Sequence, residues 1–403
     1  MQSTGAWKGR KMIRGRFVIL PILFGFFIMG FANLISTAMI RIKAECGLPD
    51  LVAGAMPMAI FVWFFIVSLP TGILCGRIGR KNTVLIALGV TVCAMPLPFL
   101  ASSSVWIYVV ALSMIGVGNT ILQVSLPSLL SNVVDPSQLA SRISLGQFFK
   151  AICCAATPVV AFAAAKWLGN WKYMFVLYGF VGLAAGAWLL LCDIPRETAC
   201  GSRTSVGSCL SMLRNPYVLA MTVGIVFSVG ADIGFAVAIP EYLKVVFKVD
   251  IDRAATGPTV YFVAKTIAAF AGSVVFARIS AAKCLPWSVG MSILAVVLMF
   301  FASTPGVFLV LVFVAALGFA NSFGMCMGLA IDREPGKANE ISALMVMAIV
   351  GGGLITFAMG AAQSAFGSTG ITALLLVCLS YLLGLGLFAS LKTQGAHGGG
   401  NRK

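Results

Sequence analysis

Residues 51–81 read LVAGAMPMAIFVWFFIVSLPTGILCGRIGRK. The first part, residues 51–75, carries no charged side chain; the remainder, 76–81, holds Arg77, Arg80 and Lys81 between glycines. At about 1.5 Å per residue a helix over 51–75 is long enough to cross a hydrocarbon core roughly 30 Å thick. The stretch lacks the alternation of a barrel strand, and an open strand could not satisfy its backbone in lipid, so the spacing predicts a membrane-spanning helix. The abrupt change to glycine and cations marks its exit at the cytoplasmic face, where Lys and Arg collect.

The same reading extends outward along all 403 residues. The chain is 60% hydrophobic and only 10% charged, with a mean hydropathy of +1.02. Soluble chains are about a quarter charged, so this composition excludes a soluble enzyme, a disordered protein and a nucleic-acid-binding domain. Apolar stretches of spanning length recur near 17–40, 51–75, 83–102, 105–131, 143–165, 172–192, 217–239, 257–279, 287–304, 306–331, 341–365 and 370–391. The expected fold class is an all-α integral membrane protein with 12 transmembrane helices. The basic residues at 8, 10, 11, 14 and 16 precede an apolar run too long for a signal peptide, so that run is expected to span. With both termini cytoplasmic, 19 Lys and Arg fall on the inner side. Seven fall outside: Arg41, Lys43, Lys166, Lys172, Lys244, Lys248 and Arg253. This asymmetry accounts for the net charge of +16 without a nucleic-acid partner. Eleven cysteines form no CxxC spacing and read as small core residues rather than metal ligands.

Residues 193–216, rich in Ser, Gly and Arg, are the longest polar stretch between spans and divide them six and six. The expected organisation is a basic cytoplasmic tail at 1–16, a six-helix bundle at 17–192, a cytoplasmic loop at 193–216, a second bundle at 217–391 and a C-terminal tail at 392–403. An internal repeat supports it. Gly72–Lys81 (GILCGRIGRK), ending span 2, is echoed by Gly272–Lys283 (GSVVFARISAAK), ending span 8. Two related bundles with pseudo-twofold symmetry and a solute site between them are a transporter architecture.

The decapeptide Gly72–Lys81 also resembles the loop 2–3 signature of the major facilitator superfamily, GxLaDrxGrk, with Gly76 where that pattern usually has Asp. The resemblance implies a gating loop made of Gly72, Gly76, Arg77, Gly79, Arg80 and Lys81. Pieces in both halves are similar to the fucose permease branch: Phe31-Ala32-Asn33, Pro70–Leu74, Gly116-Val117-Gly118, Gln123–Pro127, Arg142–Gln147, Val229–Asp232, Asn321-Ser322 and Val346–Gly353. This resemblance implies a sugar:proton symporter working by alternating access; the chain is expected to be multi-pass in a bacterial cytoplasmic (inner) membrane and monomeric. The chain departs from the branch at several positions. Thr37 stands at the usual acid of span 1, Gln123 in the region of an acid or Gln in span 4, Lys150 at a common Asn, and Phe357 at a Pro.

The residues themselves give a short list. Asp232, Lys265 and Lys150 are the charges deep in apolar helices, each costing about 2.5–3.5 kcal/mol on insertion scales. Counted from the cytoplasmic ends, Asp232 and Lys265 lie roughly 22 and 20 Å up spans 7 and 8, and Lys150 roughly 11 Å up span 5. Two readings of Asp232 and Lys265 stand side by side: an ion pair that fixes packing, or a proton-coupling pair in which Lys265 governs the protonation of Asp232. Lys150, with Gln147 one turn before it, either snorkels to the surface or faces an anionic group of the substrate. Two lysines against one aspartate favour an acidic, uronate-like sugar. Asn33, Asn119, Gln123, Gln147, Tyr261 and Asn321 supply donors and acceptors for a hydroxyl-rich solute, or hold helices together. Trp63, midway along its span, offers a plate for a sugar ring or packs in the core. No metal cluster and no nucleotide loop is present, so no cofactor and no enzyme activity is expected. The partners expected are a small solute, protons and the lipid bilayer. A metabolite or drug exchanger or exporter on the same fold is the alternative.

Overall fold

The computed structural model describes residues 18–32, 34, 38, 41–42, 45–47, 50–100, 104–194, 205–249 and 257–398. Among them there is no strand. Ten helices are long and apolar enough to cross a membrane, and two shorter apolar ones, Val18–Ala32 and Val62–Ile78, bring the number to the twelve expected. In chain order the spans are Val18–Ala32 (span 1), Asp50–Ile78 (span 2), Arg80–Ala94 with Leu97–Leu100 (span 3) and Val105–Val133 (span 4). Pro136–Trp167 is span 5 and Tyr173–Leu191 span 6. After a short helix at Val206–Ser211 come Pro216–Val245 (span 7), Gly257–Val275 (span 8) and Ala281–Met299 (span 9). Span 10 is Pro305–Phe319 followed by Ser322–Arg333, span 11 is Ala338–Met347 followed by Ile349–Phe366, and span 12 is Ser368–Gly398.

Local chemistry sets the starts. Asn215 caps span 7 by accepting from the Tyr217 amide, and Pro216 sits in its first turn. Thr304 caps span 10 ahead of Pro305. Pro136 likewise opens span 5, well before its apolar stretch. Polar Gln138 and Arg142 continue that helix while Leu139, Ala140 and Ile143 are buried. Lys150 consequently lies near the midpoint of the helix.

The helices group into two compact units, neither of which is one continuous stretch of chain. Unit 1 holds residues 1–136, 146–212 and 334–347; unit 2 holds 137–145, 213–333 and 348–403. In unit 1, span 4 packs on spans 2 and 3, and span 6 on span 3. The first helix of span 11 lies on spans 2 and 4 and on the short helix Val206–Ser211. In unit 2, span 9 packs on spans 10 and 12, and span 7 on spans 11 and 12.

One contact recurs in both units about 200 residues apart. Gly118 of span 4 faces Thr91 and the Ala87 carbonyl of span 3, where a methyl group would collide with Thr91 Oγ1. Gly318 of span 10 faces Ser292 and the Ser288 carbonyl of span 9 in the same manner. Small residues that let two backbones approach are the usual means of holding helices together in lipid, where apolar burial supplies little.

Candidate functional site

Span 7 and span 8 each place a charged side chain near mid-length, and the two meet. Lys265 Nζ donates to both oxygens of Asp232, at 2.5 Å to Oδ1 and 2.6 Å to Oδ2. The two side chains are 34% (Asp232) and 32% (Lys265) exposed within the protein, so the pair is lodged among helices without being enclosed by them. One helical turn before Lys265, the Tyr261 hydroxyl donates to Asp232 Oδ1. Tyr261 is wholly buried. Its ring stacks on Phe235 of span 7 at 5.7 Å and Phe319 of span 10 at 6.1 Å, and those two rings stack on each other at 5.1 Å. Three near-parallel rings from three spans thus fix the phenol that holds the carboxylate. Tyr261, expected among the solute-binding residues, stands behind Asp232 rather than at an exposed wall.

Asn321 is also buried. It lies where span 10 is interrupted, and its Nδ2 donates to the Ala268 carbonyl of span 8 at 2.7 Å, over Gly272. This bond ties span 10 to span 8.

In unit 1, Asn119 and Gln123 stand one turn apart on span 4, 5% and 6% exposed. Asn119 Oδ1 and Gln123 Oε1 are buried and receive no hydrogen bond from the described residues. A buried acceptor left in this state costs about 1–3 kcal/mol. Gln147 and Lys150 lie half-buried on span 5. There span 1 approaches so closely that a methyl on Gly30 would strike Cys153 and lie 2.9 Å from the Lys150 carbonyl. Trp63 is half-buried on span 2. Asn33 and Thr37 lie outside the described residues.

The loop between spans 2 and 3 is built around Gly79, whose φ of 89° is open to glycine at little cost. It breaks the helix and turns Arg80 inward. Arg80 is 7% exposed. Its Nε donates to Asn339 Oδ1 at 2.6 Å, and its Nη1 to the Ser128 carbonyl at 2.8 Å, to Ser131 Oγ at 3.2 Å and to Asn132 Oδ1. Ser128 Oγ adds bonds to the Ala338 carbonyl and Ser342 Oγ. Gly72 makes room for this packing, since a methyl there would strike Ala343 and lie 3.2 Å from the Asn339 carbonyl. Lys81 donates to the carbonyls of Leu190 and Cys192, closing the end of span 6. Gly76 and Arg77 are exposed.

One cluster has no counterpart in the sequence reading. Beyond span 1, the Glu45 carboxylate accepts from Trp171 Nε1 at 2.6 Å and Tyr108 Oη at 2.8 Å, and pairs with Lys172 at 3.3 Å. Burial raises its pKa, but the bonds from Trp171 and Tyr108 and the Lys172 charge more than offset this, leaving it below the ordinary carboxylate value.

A profile of the Major Facilitator Superfamily matches residues 22–356. The chain is 24% identical over 394 residues to a glucose/galactose transporter of Brucella abortus, covering 93% of this chain and 94% of that protein. Among solved structures it is similar to the transporter FucP in its outward conformation, with a TM-score of 0.82, 18% identity and 92% of this chain against 98% of that one. A point mutant of the Escherichia coli fucose:proton symporter FucP gives 0.81, at 18% identity, over 94% and 99%. A bacterial homologue of the iron transporter ferroportin gives 0.71, at 15% identity, over 94% and 99%. With a profile spanning most of its length and twelve apolar helices in the expected order, the chain belongs to the Major Facilitator Superfamily and is a multi-pass membrane transporter rather than an enzyme.

Proposed function

We infer that the protein moves a small sugar or acidic sugar across a bacterial cytoplasmic membrane together with protons, by alternating access of the two six-helix halves, 17–192 and 217–391. The observation that carries this reading is the Asp232–Lys265 pair, a titratable carboxylate at mid-membrane held by a cation and a phenol and still a third exposed. A pair kept solely for packing would be expected to lie closed among its neighbours, because reachable charge in a span is costly. The unpaired acceptors of Asn119 and Gln123 suit a hydroxylated solute. Lys150 and Gln147 supply a cation and an amide on span 5, and Trp63 an aromatic face on span 2. Two intramembrane lysines against one aspartate favour a solute carrying negative charge. The glucose/galactose transporter and the fucose:proton symporter among the similar proteins agree with a sugar as cargo and a proton as driving ion.

The test is uptake of labelled neutral and acidic monosaccharides into vesicles, with and without an imposed proton gradient, by the parent and Asp232→Asn. The expected outcome is gradient-driven accumulation by the parent and its loss in the variant. Uptake that ignores the gradient in both proteins removes proton coupling. Efflux of a metabolite or drug with no sugar uptake points to the exporter reading.

A further inference from the structure

Lys265 directs its ammonium to Asp232, and both carboxylate oxygens accept from it. The surroundings supply little to replace that bond. Span 7 packs against spans 8, 10, 11 and 12. Span 8 offers Tyr261 and Lys265 themselves, while Pro305–Phe319 of span 10 and Ile349–Phe366 of span 11 contain no titratable residue. Apart from Cys378, which is buried in span 12 one turn from Leu375 and so level with Gly234, the groups on the remaining helices belong to the cytoplasmic part of span 7. Arg333 lies over Tyr217, and Tyr381 donates to the Ala220 carbonyl. Asp332 and Cys326 are the acidic side chains nearest Tyr217, and Lys392 lies over Phe388.

A proton arriving at Asp232 cancels the attraction that holds Lys265. The carboxylic acid still accepts from Tyr261, which the three-ring stack keeps in place, so Asp232 does not collapse onto another group. Lys265 becomes an uncompensated cation at mid-membrane, an expensive state. Its ammonium has three donors and no acceptor; the face of the Tyr261 ring, 6.0 Å away, replaces little of the lost ion pair, and an acceptor of negative charge restores it. The pair is a third exposed, so the neighbouring helices do not seal that place off.

We propose that Lys265 is the anion-receiving residue of the transporter: protonation of Asp232 frees it to bind the carboxylate of a sugar acid, so that one proton and one substrate anion bind together by exchange of partners on a single lysine. The inference rests on the sugar-transport reading above and narrows its cargo to uronate-type monosaccharides. It also fixes the charge carried. The proton goes from water to Asp232 and the anion from water to Lys265; both leave on the other side, after which Asp232 and Lys265 pair again. Each cycle is electroneutral. A proton moved with a neutral sugar would instead carry one positive charge.

The test uses full-length protein in detergent, with labelled D-galacturonate and D-galactose as probes, between pH 5.5 and 8, and with proton uptake read in weak buffer. For the parent, galacturonate affinity rises about tenfold for each unit fall in pH while Asp232 is ionised, and about one proton is taken up per ligand bound. Asp232→Asn binds galacturonate with no pH dependence and no proton uptake. Lys265→Gln lowers the galacturonate-to-galactose affinity ratio at least tenfold, and Lys265→Arg restores it. The double variant D232N/K265Q, which leaves no lone charge, keeps the fold if Lys265→Gln alone does not, and shows the same lowered ratio. In vesicles, galacturonate accumulation follows the pH gradient and ignores a potassium diffusion potential. An unchanged ratio in the Lys265→Gln or double variant, or continued proton uptake by Asp232→Asn, overturns the exchange while leaving gradient-driven sugar uptake intact. A parent that binds galactose but not galacturonate also overturns it alone; a parent that binds neither brings down the sugar reading as well.

Discussion

Glu45 shows how a single residue escapes a reading based on hydropathy. An acid just beyond a span is ordinary, and its partners Tyr108 and Trp171 lie 63 and 126 positions further on. Its depressed pKa fixes the sign of a pH effect. The stabilisation is fully present above the unfolded value of 4.5 and is lost as pH falls through the lower folded value. Glu45→Gln is therefore expected to lower the thermal denaturation midpoint at pH 7 and to shift the emission of Trp171. The difference from the parent should vanish toward about pH 3, as followed by tryptophan fluorescence in detergent. Asp232 and Lys265 were legible for the opposite reason, since a charge inside an apolar run stands out and equal depth on consecutive helices suggests a pair. That Tyr261 is the third member followed from its one-turn spacing to Lys265 only once span 7 was placed beside it.

At the level of helices, hydropathy located every span, because about twenty apolar residues leave a segment few other places to go. It did not locate the interruption of span 11 at Ala348, where the residues carry no breaker. Nor did it extend span 5 back to Pro136, since a polar first turn looks like loop when only apolarity is counted. The paired glycines are the sharper test of helix packing. A side chain on Gly318 meets the Ser288 carbonyl as well as Ser292 Oγ, whereas on Gly118 the nearest obstacle is the Thr91 hydroxyl, with the Ala87 carbonyl at 3.2 Å. A hydroxyl rotates aside and a carbonyl does not. Gly318→Ala is thus expected to cost about 1–3 kcal/mol, as overpacking does, and Gly118→Ala less. The order of denaturation midpoints checks this, and equal midpoints for both variants would show that the two contacts yield alike.

For the whole molecule, the internal repeat GILCGRIGRK/GSVVFARISAAK pointed to related halves, and residues 193–216 to the place of their division. What no local pattern conveys is that the first helix of span 11 belongs to unit 1, bound there through Arg80, Asn339 and Ser128. The helix Val206–Ser211 rests on the same segment, with Cys209 wholly buried near Glu340; burial first, then that carboxylate, pushes its thiol up to about 11. At pH 7 Cys209 should react with maleimide far more slowly than an exposed thiol. Arg80→Ala, which releases the start of span 11, should raise its labelling rate severalfold, read by mass spectrometry of the labelled peptide. A rate unaffected by Arg80→Ala would mean that the short helix is held independently of that network. The same bond sets a schedule for biosynthesis. Asn339 leaves the ribosome 259 residues after Arg80, so at about 5–20 residues per second the inserted first half waits roughly 10–50 s for the segment that completes it.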